Sequence, residues 1–171
     1  MSHDESGFAE FFEASWEPCL RAVVVSTGDT LRAEEQVAEA FARAWASWPK
    51  VNRHPAPRAW VVRTALNVGA SFWRRHGREL PLADHDAAAP GDNRSGLDPG
   101  VVTALRRLPA RQREVIVLRV LLDLDIATTA SELGIAPGTV RAHLARAVAA
   151  MRKELAEANT TEADPCPTLT N

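Results

Sequence analysis

The sequence predicts an all-α protein of two small helical domains joined by a flexible linker, and three observations favour this class. Apolar residues recur at spacings of three and four, whereas the alternating runs of β-branched residues typical of strands are absent. The stretch Pro81–Gly100 is rich in Pro, Gly, Asp and Ala and contains almost no large apolar residue. This stretch divides the chain of 171 residues into two parts, each of a size that small domains adopt.

The first helix is expected to run from Phe8 toward Val25. Large apolar side chains recur there every four residues, which places them on one face of an α-helix. The turn that follows, STGD at residues 26–29, contains Gly and can also cap the next helix. The apolar face of the first helix consists of Phe8, Phe12, Trp16 and Leu20.

The second and third helices are expected over residues 31–48 and 58–75, with a loop between them. Pro49 ends the second helix, because proline lacks the backbone N–H that would continue it. Pro55 and Pro57 mark the loop. The inward-facing residues of the second helix are predicted to be Val37, Phe41, Ala44, Trp45 and Trp48.

The C-terminal half is expected to contain four helices, over residues 101–107, 111–122, 126–133 and 137–156. Pro109 separates the first two. Gly134 supplies the left-handed residue that ends the third, and Pro137 suits the first turn of the fourth. The last two helices and their turn therefore form a helix-turn-helix. In such a motif the second helix lies in the major groove and contacts bases with its first residues.

The chain accordingly divides into four segments. Residues 6–79 form the first helical domain, residues 80–100 the linker and residues 101–156 the second domain. Residues 157–171 are predicted to be a disordered tail, because they are polar and lack an apolar face.

Charge is segregated along the chain, although the net charge is only −2. Residues 1–51 carry nine acidic and four basic side chains, whereas residues 53–78 carry six arginines and no acid. Residues 137–153 contain three arginines, one lysine and no acid. The two basic segments indicate two surfaces that face an anion, and neutralisation of phosphates would explain why acids are absent from them. A solvated helix face is the alternative explanation for either segment.

Several functional classes have no support in the sequence. Cys19 and Cys166 are far apart and no Cys/His cluster is present, so neither a metal site nor a disulfide is predicted. No nucleophile motif, Gly-rich phosphate loop or catalytic carboxylate pair occurs, so we expect no enzymatic activity, no catalytic residue and no cofactor. No signal peptide is recognised, and no apolar run reaches the ~18 residues of a membrane span. A soluble, cytoplasmic protein is therefore expected.

The segment over residues 108–155 resembles region 4 of bacterial sigma-70-type factors. The resemblance rests on LPARQREVIVLR and LGIAPGTVRAHLARA, at the separation that this family shows. It implies binding of the −35 promoter element and places Arg111 and Arg113 near phosphates or the polymerase flap. The residues that it assigns to −35 recognition are Thr139, Arg141, Ala142, His143 and Arg146.

This segment departs from the family pattern at several positions. Ala136 stands where Ser is frequent, so a helix cap worth about 1 kcal/mol is missing. His143 stands where Lys or Arg is common. Thr128 and Thr129 replace the usual Glu-Ile pair, which puts a polar side chain at a core position. These changes predict a modest affinity for −35 DNA.

The second helix, AEEQVAEAFARAWASW at residues 33–48, resembles region 2.2 of the same family. That region binds the β′ clamp helices of core RNA polymerase. Ala38 stands where Gln is usual, and Gln36 where Leu is usual. The alternative explanation of the acidic residues is an ordinary solvated helix face. By resemblance, the residues that contact core polymerase are Glu34, Glu35, Glu39 and Arg43.

Residues 57–79, PRAWVVRTALNVGASFWRRHGRE, resemble regions 2.3 and 2.4, and the loop over residues 51–57 corresponds to the family's loop that captures a flipped −10 base. Arginines interleave with aromatic residues here, which suits melted DNA because guanidinium groups hold phosphates and rings stack on bases. Core packing is favoured for Trp60 and Phe72, whereas either role suits Trp73. The residues assigned to −10 recognition and melting are Asn52, Arg53, His54, Arg58, Arg63, Asn67, Ser71, Trp73, Arg74 and Arg75.

With these two regions alone, the chain is similar to the extracytoplasmic-function (ECF) group of sigma factors, in particular its actinobacterial sigma-E-like subgroup. The resemblance spans residues 8–156. It implies a factor that directs core RNA polymerase to promoter DNA, that is monomeric when free and that can have an anti-sigma factor as a further partner. The helix-turn-helix alone allows another interpretation, a stand-alone regulator that binds a symmetric operator as a dimer. A sigma factor instead predicts an asymmetric two-element promoter and a requirement for polymerase.

Overall fold

The computed structural model describes residues 3–76 and 96–162, and it places side chains over residues 5–69 and 96–158. Within these ranges the chain is helical and contains no strand, which confirms the all-α class. Most of the predicted linker and the end of the predicted tail lie outside the described residues. The side chains of four predicted −10 residues also lie outside them, namely Ser71, Trp73, Arg74 and Arg75.

The N-terminal domain consists of α1 (His3–Thr27), α2 (Thr30–Ala46), α3 (Trp48–Val51) and α4 (Pro57–His76). The C-terminal domain consists of α5 (Pro99–Arg107), α6 (Ala110–Ile116), α7 (Ile126–Leu133) and α8 (Pro137–Glu162). Residues Val117–Leu121 continue α6 as a π-helical turn, which we call the π-turn. All seven predicted helices are present. The last one is longer than predicted, because residues 157–162 are helical and not part of a disordered tail.

The α1–α2 turn has the predicted chemistry. Gly28 adopts φ +76°, a left-handed conformation that glycine takes without steric cost. Asp29 is the N-cap of α2, and its carboxylate accepts a hydrogen bond from the Arg32 backbone N–H at 3.1 Å. The turn therefore both ends α1 and starts α2, as the STGD stretch predicts.

The second helix is shorter than predicted. α2 ends at Ala46, and Trp48–Val51 forms the separate helix α3 with Pro49 in its first turn. A proline costs nothing in a first turn, where its missing N–H has no partner to lose. Pro49 thus lies in the first turn of a new helix that begins two residues after α2 ends, instead of ending the preceding one.

The core of the N-terminal domain lies between α1, α2 and α4. α2 contributes Val37, Ala40, Phe41 and Ala44, which are buried and recur at spacings of three and four. The facing side of α4 is lined by small and β-branched residues that allow the two helices to approach closely: Ala59, Val61, Val62 and Ala65.

The π-turn is a local departure from helix geometry in the C-terminal domain. The backbone N–H of Leu122 donates to the carbonyl of Val117, five residues earlier, at 3.0 Å. Asp123 follows with φ 53°, the left-handed region that Asp tolerates better than most residues, and it ends the helix. The extra residue in the turn changes the direction of the side chains. Val117 and Leu118 are buried, whereas Val120 is exposed.

The two domains pack against each other, which the interpretation as separate modules on a tether did not predict. The π-turn and α5 both contact α1. One hydrophobic cluster joins the two domains, and from the C-terminal side it includes Leu105, Leu108, Ile116, Val117, Leu118, Leu122 and Ala147. α1 is buried almost all round over residues 19–25, because both domains cover this part of the helix.

Candidate nucleic-acid and polymerase interfaces

The helix-turn-helix has the predicted geometry. Gly134 adopts φ 64° at the end of α7, and the backbone N–H of Ile135 donates to the Ala130 carbonyl at 3.0 Å. This bond is typical of a helix end with a left-handed glycine. Val140, Val115 and Ala130 form a small buried cluster that fixes α8 against α6 and α7.

The predicted −35 residues lie together on the outward side of α8. Thr139, Arg141 and Arg146 are exposed, whereas Ala142 and His143 are half-buried. At about 100° per residue, Thr139, Ala142 and Arg146 share one face, and Arg141 lies about 100° round the helix from Ala142. The buried residues Val140 and Ala147 point the other way. The N-terminal half of α8 is therefore free to meet a groove.

Thr129 is completely buried, and its structure explains a polar residue at this core position. Its hydroxyl donates to the Asp125 carbonyl at 2.8 Å, one turn earlier in the helix. Asp125 is the N-cap of α7, and its carboxylate accepts from the Thr128 backbone N–H at 2.7 Å. Hydrogen bonds from Thr128 lower the pKa of the Asp125 carboxyl below its ordinary value. Both threonines therefore stabilise the start of α7.

The predicted polymerase-contact residues occupy the outer side of α2. Glu35, Glu39 and Arg43 are exposed, and Glu34 is half-buried. Glu39 and Arg43 form an ion pair of 2.8 Å along the helix. These charges flank an exposed ridge at spacings of seven, four and three residues, which we call the α2 ridge: Leu31, Ala38, Ala42 and Trp45.

The prediction that Trp45 faces inward is wrong. Its side chain is 46% exposed, whereas Trp48 is 4% exposed. Phe8 covers one face of Trp45 at a ring distance of 4.9 Å, and the rest of the indole faces outward. Leu31 is 65% exposed at the other end of the ridge. Sequence reasoning selected the charged residues of this helix and missed its two large apolar ones, although their spacing from Ala38 was visible.

At the contact between α2 and α4, the Gln36 side chain fills the space that a side chain at position 69 would occupy. A side-chain carbon at Gly69 would lie 2.6 Å from the Gln36 amide nitrogen, so a larger residue there would require the end of the flexible Gln36 side chain to move. Glycine at position 69 therefore accommodates the long side chain at position 36 as it is placed.

The predicted −10 arginines of α4 have different surroundings. Arg58 is engaged with α1, where its Nη2 donates to the Ala14 carbonyl at 3.0 Å and its Nε to Ser15. Arg63 lies one and a half turns further on and contacts Glu132 of α7 at 3.2 Å. Its side chain is still 58% exposed. Arg58 therefore has a structural role, whereas much of Arg63 is accessible.

A cleft opens beside Asn67. It has a volume of about 440 Å³ and lies between the C-terminal end of α2 and one face of α4. Trp60 is half-buried at its wall, as the preference for core packing partly predicted. Arg43, assigned to polymerase contact from the sequence, also lines it. The lining residues are Arg43, Ala46, Ser47, Trp60, Thr64 and Asn67.

The loop before α4 presents Asn52 and Arg53 to solvent. His54 is more constrained, because its Nδ1 accepts a hydrogen bond from the Ala56 backbone N–H at 3.0 Å. The proton of a neutral His54 ring is therefore on Nε2, which lies 3.8 Å from Glu132. The structure brings His54 and Arg63 together at this one acidic residue of the other domain.

Other kinds of site are not found within residues 3–76 and 96–162. These residues hold no group of three potential metal ligands. In the same ranges, no helix combines the length and the apolar character that a membrane span requires.

Comparison with known families identifies both domains. Residues 18–79 match the family described as Sigma-70 region 2, and residues 100–151 match Sigma-70, region 4. The chain is 33% identical to the ECF RNA polymerase sigma factor SigL of Mycobacterium tuberculosis over 85% of each chain. It is an ECF sigma factor. A stand-alone helix-turn-helix regulator is not favoured, because the match extends through region 2.

The sigma factor has further relatives that agree with this assignment. It is 26% identical to the RNA polymerase sigma-E factor of Streptomyces coelicolor, over 86% of this chain and 85% of that protein. Among solved structures it resembles the sigma factor RpoE in complex with the anti-sigma factor NepR from Bartonella quintana. That match has a TM-score of 0.63 at 24% identity and covers 87% of this chain and 96% of the other. CnrH in complex with the cytosolic domain of CnrY matches with a TM-score of 0.61 at 22% identity, over 90% of both chains. These two structures support the fold.

Proposed function

We propose that this sigma factor brings core RNA polymerase to asymmetric promoters through three surfaces. α8 recognises the −35 element, α4 and the preceding loop hold the melted −10 strand, and the α2 ridge docks on polymerase. The observation that carries the proposal is the cleft beside Asn67, because it joins aromatic and hydrogen-bonding side chains to an arginine-bearing helix. A repressor of duplex DNA has no use for such a cleft.

The proposal for −35 recognition rests on α8. Its exposed side presents Thr139, Arg141 and Arg146 in the first turns, where a recognition helix meets base edges and phosphates. Arg can donate two hydrogen bonds to guanine, and a good pair of this kind discriminates by about 1–3 kcal/mol. The side chain of Ala142 on this side of the helix is small, so the helix can approach the groove closely.

The proposal for the −10 element rests on the cleft. Its volume of about 440 Å³ exceeds what one nucleobase needs. Trp60 offers a stacking surface and Asn67 an amide that can both donate and accept, the two means by which proteins hold a flipped base. Arg53 and Arg63, both exposed, supply cations for the adjacent phosphates. Base capture in the cleft would offset the cost of unstacking.

The proposal for polymerase docking rests on the α2 ridge. Interface energy concentrates in buried aromatic and aliphatic anchors, whereas exposed charges contribute little affinity and mainly orient the partners. Leu31 and Trp45 are the two large apolar residues of α2 that remain exposed. We assign the affinity to them and the orientation to Glu35, Glu39 and Arg43.

The remaining assignments follow from this role. The protein acts in the cytoplasm, where polymerase and DNA are, and it acts by binding without catalysing a reaction. An anti-sigma factor is a natural partner, since a sigma factor of similar fold was solved in complex with such a protein. The free protein is expected to be a monomer.

Transcription in vitro tests the proposal. Core polymerase with the sigma factor should initiate on DNA from upstream of the factor's own gene, and thymines near −10 should become reactive to permanganate. Asn67→Ala should reduce this reactivity more than it reduces binding to −35 DNA, because it removes a contact to the unpaired strand alone. Absence of polymerase-dependent initiation on every candidate promoter would overturn the assignment.

A further inference from the structure

Glu132 connects the two proposed DNA-binding surfaces. It is the penultimate residue of α7, the first helix of the helix-turn-helix, and its side chain is only 10% exposed. One carboxylate oxygen lies 3.2 Å from Nη2 of Arg63, and the other lies 3.8 Å from Nε2 of His54. Arg63 also donates to the Glu132 backbone carbonyl. A single acidic residue of the C-terminal domain therefore engages two residues assigned to the −10 strand.

The position of Glu132 in α7 strengthens this contact. The last carbonyls of a helix lack partners within the helix and carry partial negative charge. Arg63 supplies a cation and a donor to that end, so it caps α7 from the other domain. The carboxylate and the carbonyl together present the acceptor pattern of a phosphate, which arginine binds in the same way.

Two further contacts hold the domains in this arrangement. Arg106 of α5 packs its guanidinium over Gly28, where even one added carbon would lie 2.3 Å from it. The π-turn packs its apolar residues on α1. The closed arrangement of the two domains thus combines two kinds of contact. Apolar residues are buried far from the DNA-binding surfaces, and a charge contact lies directly on one of these surfaces.

The two DNA-binding surfaces differ in how closure affects them. Thr139, Arg141 and Arg146 of α8 remain exposed. In contrast, His54 is mostly covered, and the charged end of Arg63 is bound to Glu132. Glu132 occupies the Nη2 donor of Arg63, so a phosphate can take that donor only after the carboxylate leaves.

We propose that Glu132 is a built-in phosphate mimic that masks the −10 surface of the free sigma factor until the domains separate. The inference rests on the proposed function of Arg63 and His54. Polymerase, which must hold the two DNA-binding surfaces apart to engage a two-element promoter, removes the mask. The free chain accordingly binds single-stranded DNA weakly while its −35 helix stays accessible.

The experiment compares the full-length chain with Glu132→Gln. Binding of a short, mixed-sequence single strand of DNA is measured by fluorescence anisotropy, and the radius of gyration by small-angle X-ray scattering. Glu132→Gln should bind the strand about fivefold more tightly and should be larger, because the closed state loses its charge contact. Glu157→Gln is the matched control. It removes the same charge from an exposed site on α8 and should change neither quantity.

A second variant opens the same interface from another side. Arg106→Ala should also enlarge the protein and tighten strand binding, even though it removes a positive charge. Arg106→Ala takes the place of Glu132→Gln in the experiment if circular dichroism shows that Glu132→Gln does not fold. The inference is overturned if both variants bind the strand as tightly as the wild type does, or if both have the radius of gyration of the wild type. Transcription separates this result from the proposed function. Wild-type sigma factor that fails to initiate with core polymerase contradicts the function, whereas normal initiation with unchanged opening variants contradicts the mask alone.

Discussion

Arg58, in the first turn of α4, donates from Nε to the Ser15 hydroxyl of α1 at 3.1 Å. Ser15 is 1% exposed, so this arginine satisfies a polar group inside the N-terminal domain. We expect Arg58→Ala to lower the free energy of unfolding by about 1–3 kcal/mol, because it leaves a buried hydroxyl without this donor. Urea denaturation measures the effect.

The same residue was assigned to the −10 strand, and a comparison separates the two roles. Arg53→Ala, at an exposed loop position, should reduce promoter melting and leave the urea midpoint unchanged. A double-mutant cycle with Ser15→Ala should show coupling between positions 15 and 58. Additive effects of the two substitutions would contradict the structural role of Arg58.

The two tryptophans at the end of α2 and the start of α3 should behave differently. Trp48 is 4% exposed and meets the ring of Phe8 edge-to-face and that of Phe11 at a tilt, so Trp48→Ala should cost about 3–5 kcal/mol of stability. Trp45 is 46% exposed, and Trp45→Ala should cost much less stability. It should instead weaken binding to core polymerase by about 2 kcal/mol, as expected for an interface anchor. Equal affinity of Trp45→Ala and wild type for core polymerase in a titration would exclude the α2 ridge as the docking site.

Arg141 is exposed in the N-terminal half of α8. Arg141→Ala should weaken polymerase-dependent binding to −35 DNA by about 1–3 kcal/mol and leave thermal unfolding unchanged. Arg152→Ala serves as the control, since Arg152 is equally exposed but lies three turns further along the helix. If both substitutions change the affinity to the same extent at every salt concentration, Arg141 contributes only general charge.

Asp125 should make the C-terminal domain sensitive to acid. Its carboxyl has a pKa below the ordinary value of 3.8, mainly because the Thr128 backbone N–H donates to the charged form. The carboxylate therefore stabilises the fold fully above pH 3.8, and this contribution is lost as pH falls through the lower, folded pKa. Asp125→Asn retains a capping side chain without the charge.

Thermal unfolding from about pH 2 to about pH 6, the range in which carboxyl groups titrate, should show the difference between wild type and Asp125→Asn. The melting temperature of wild type should fall more steeply on acidification than that of Asp125→Asn. Asp123→Asn is the control, since Asp123 ends the π-turn through its left-handed backbone conformation, which asparagine also tolerates. Parallel pH profiles for wild type and Asp125→Asn would show that the cap charge does not contribute.

Much of the fold follows from local patterns in the sequence. Helices with regular apolar spacing and clear end signals were predicted almost to the residue, as for α7 with Gly134 behind it. The motifs of regions 2 and 4 led to the family. The π-turn was missed, because apolar spacing does not distinguish it from a continued α-helix. The sequence pattern predicts a helix end at Pro49, whereas proline is equally tolerated in the first turn of a helix, which is its place in α3.

The packing of the two domains depends on contacts between residues distant in sequence, which periodicity does not report. One signal was nevertheless present. Residues 19–25 are apolar except for Arg21. A helix that is apolar on almost all sides must be covered on almost all sides. The contacts of Glu132 with His54 and Arg63 had no such signal, since each of these residues alone resembles an ordinary polar surface residue.

The π-turn also sets the rotational phase of the helix-turn-helix. An α-helix turns by about 100° per residue, so winding Val117–Leu121 as an α-helix with no residue removed would rotate everything downstream by about that angle. Val117 and Leu118 would keep their places on α1, while Glu132 and the outward face of α8 would point elsewhere. One inserted residue thus couples the seam between the domains to the direction in which the DNA-contacting helix points.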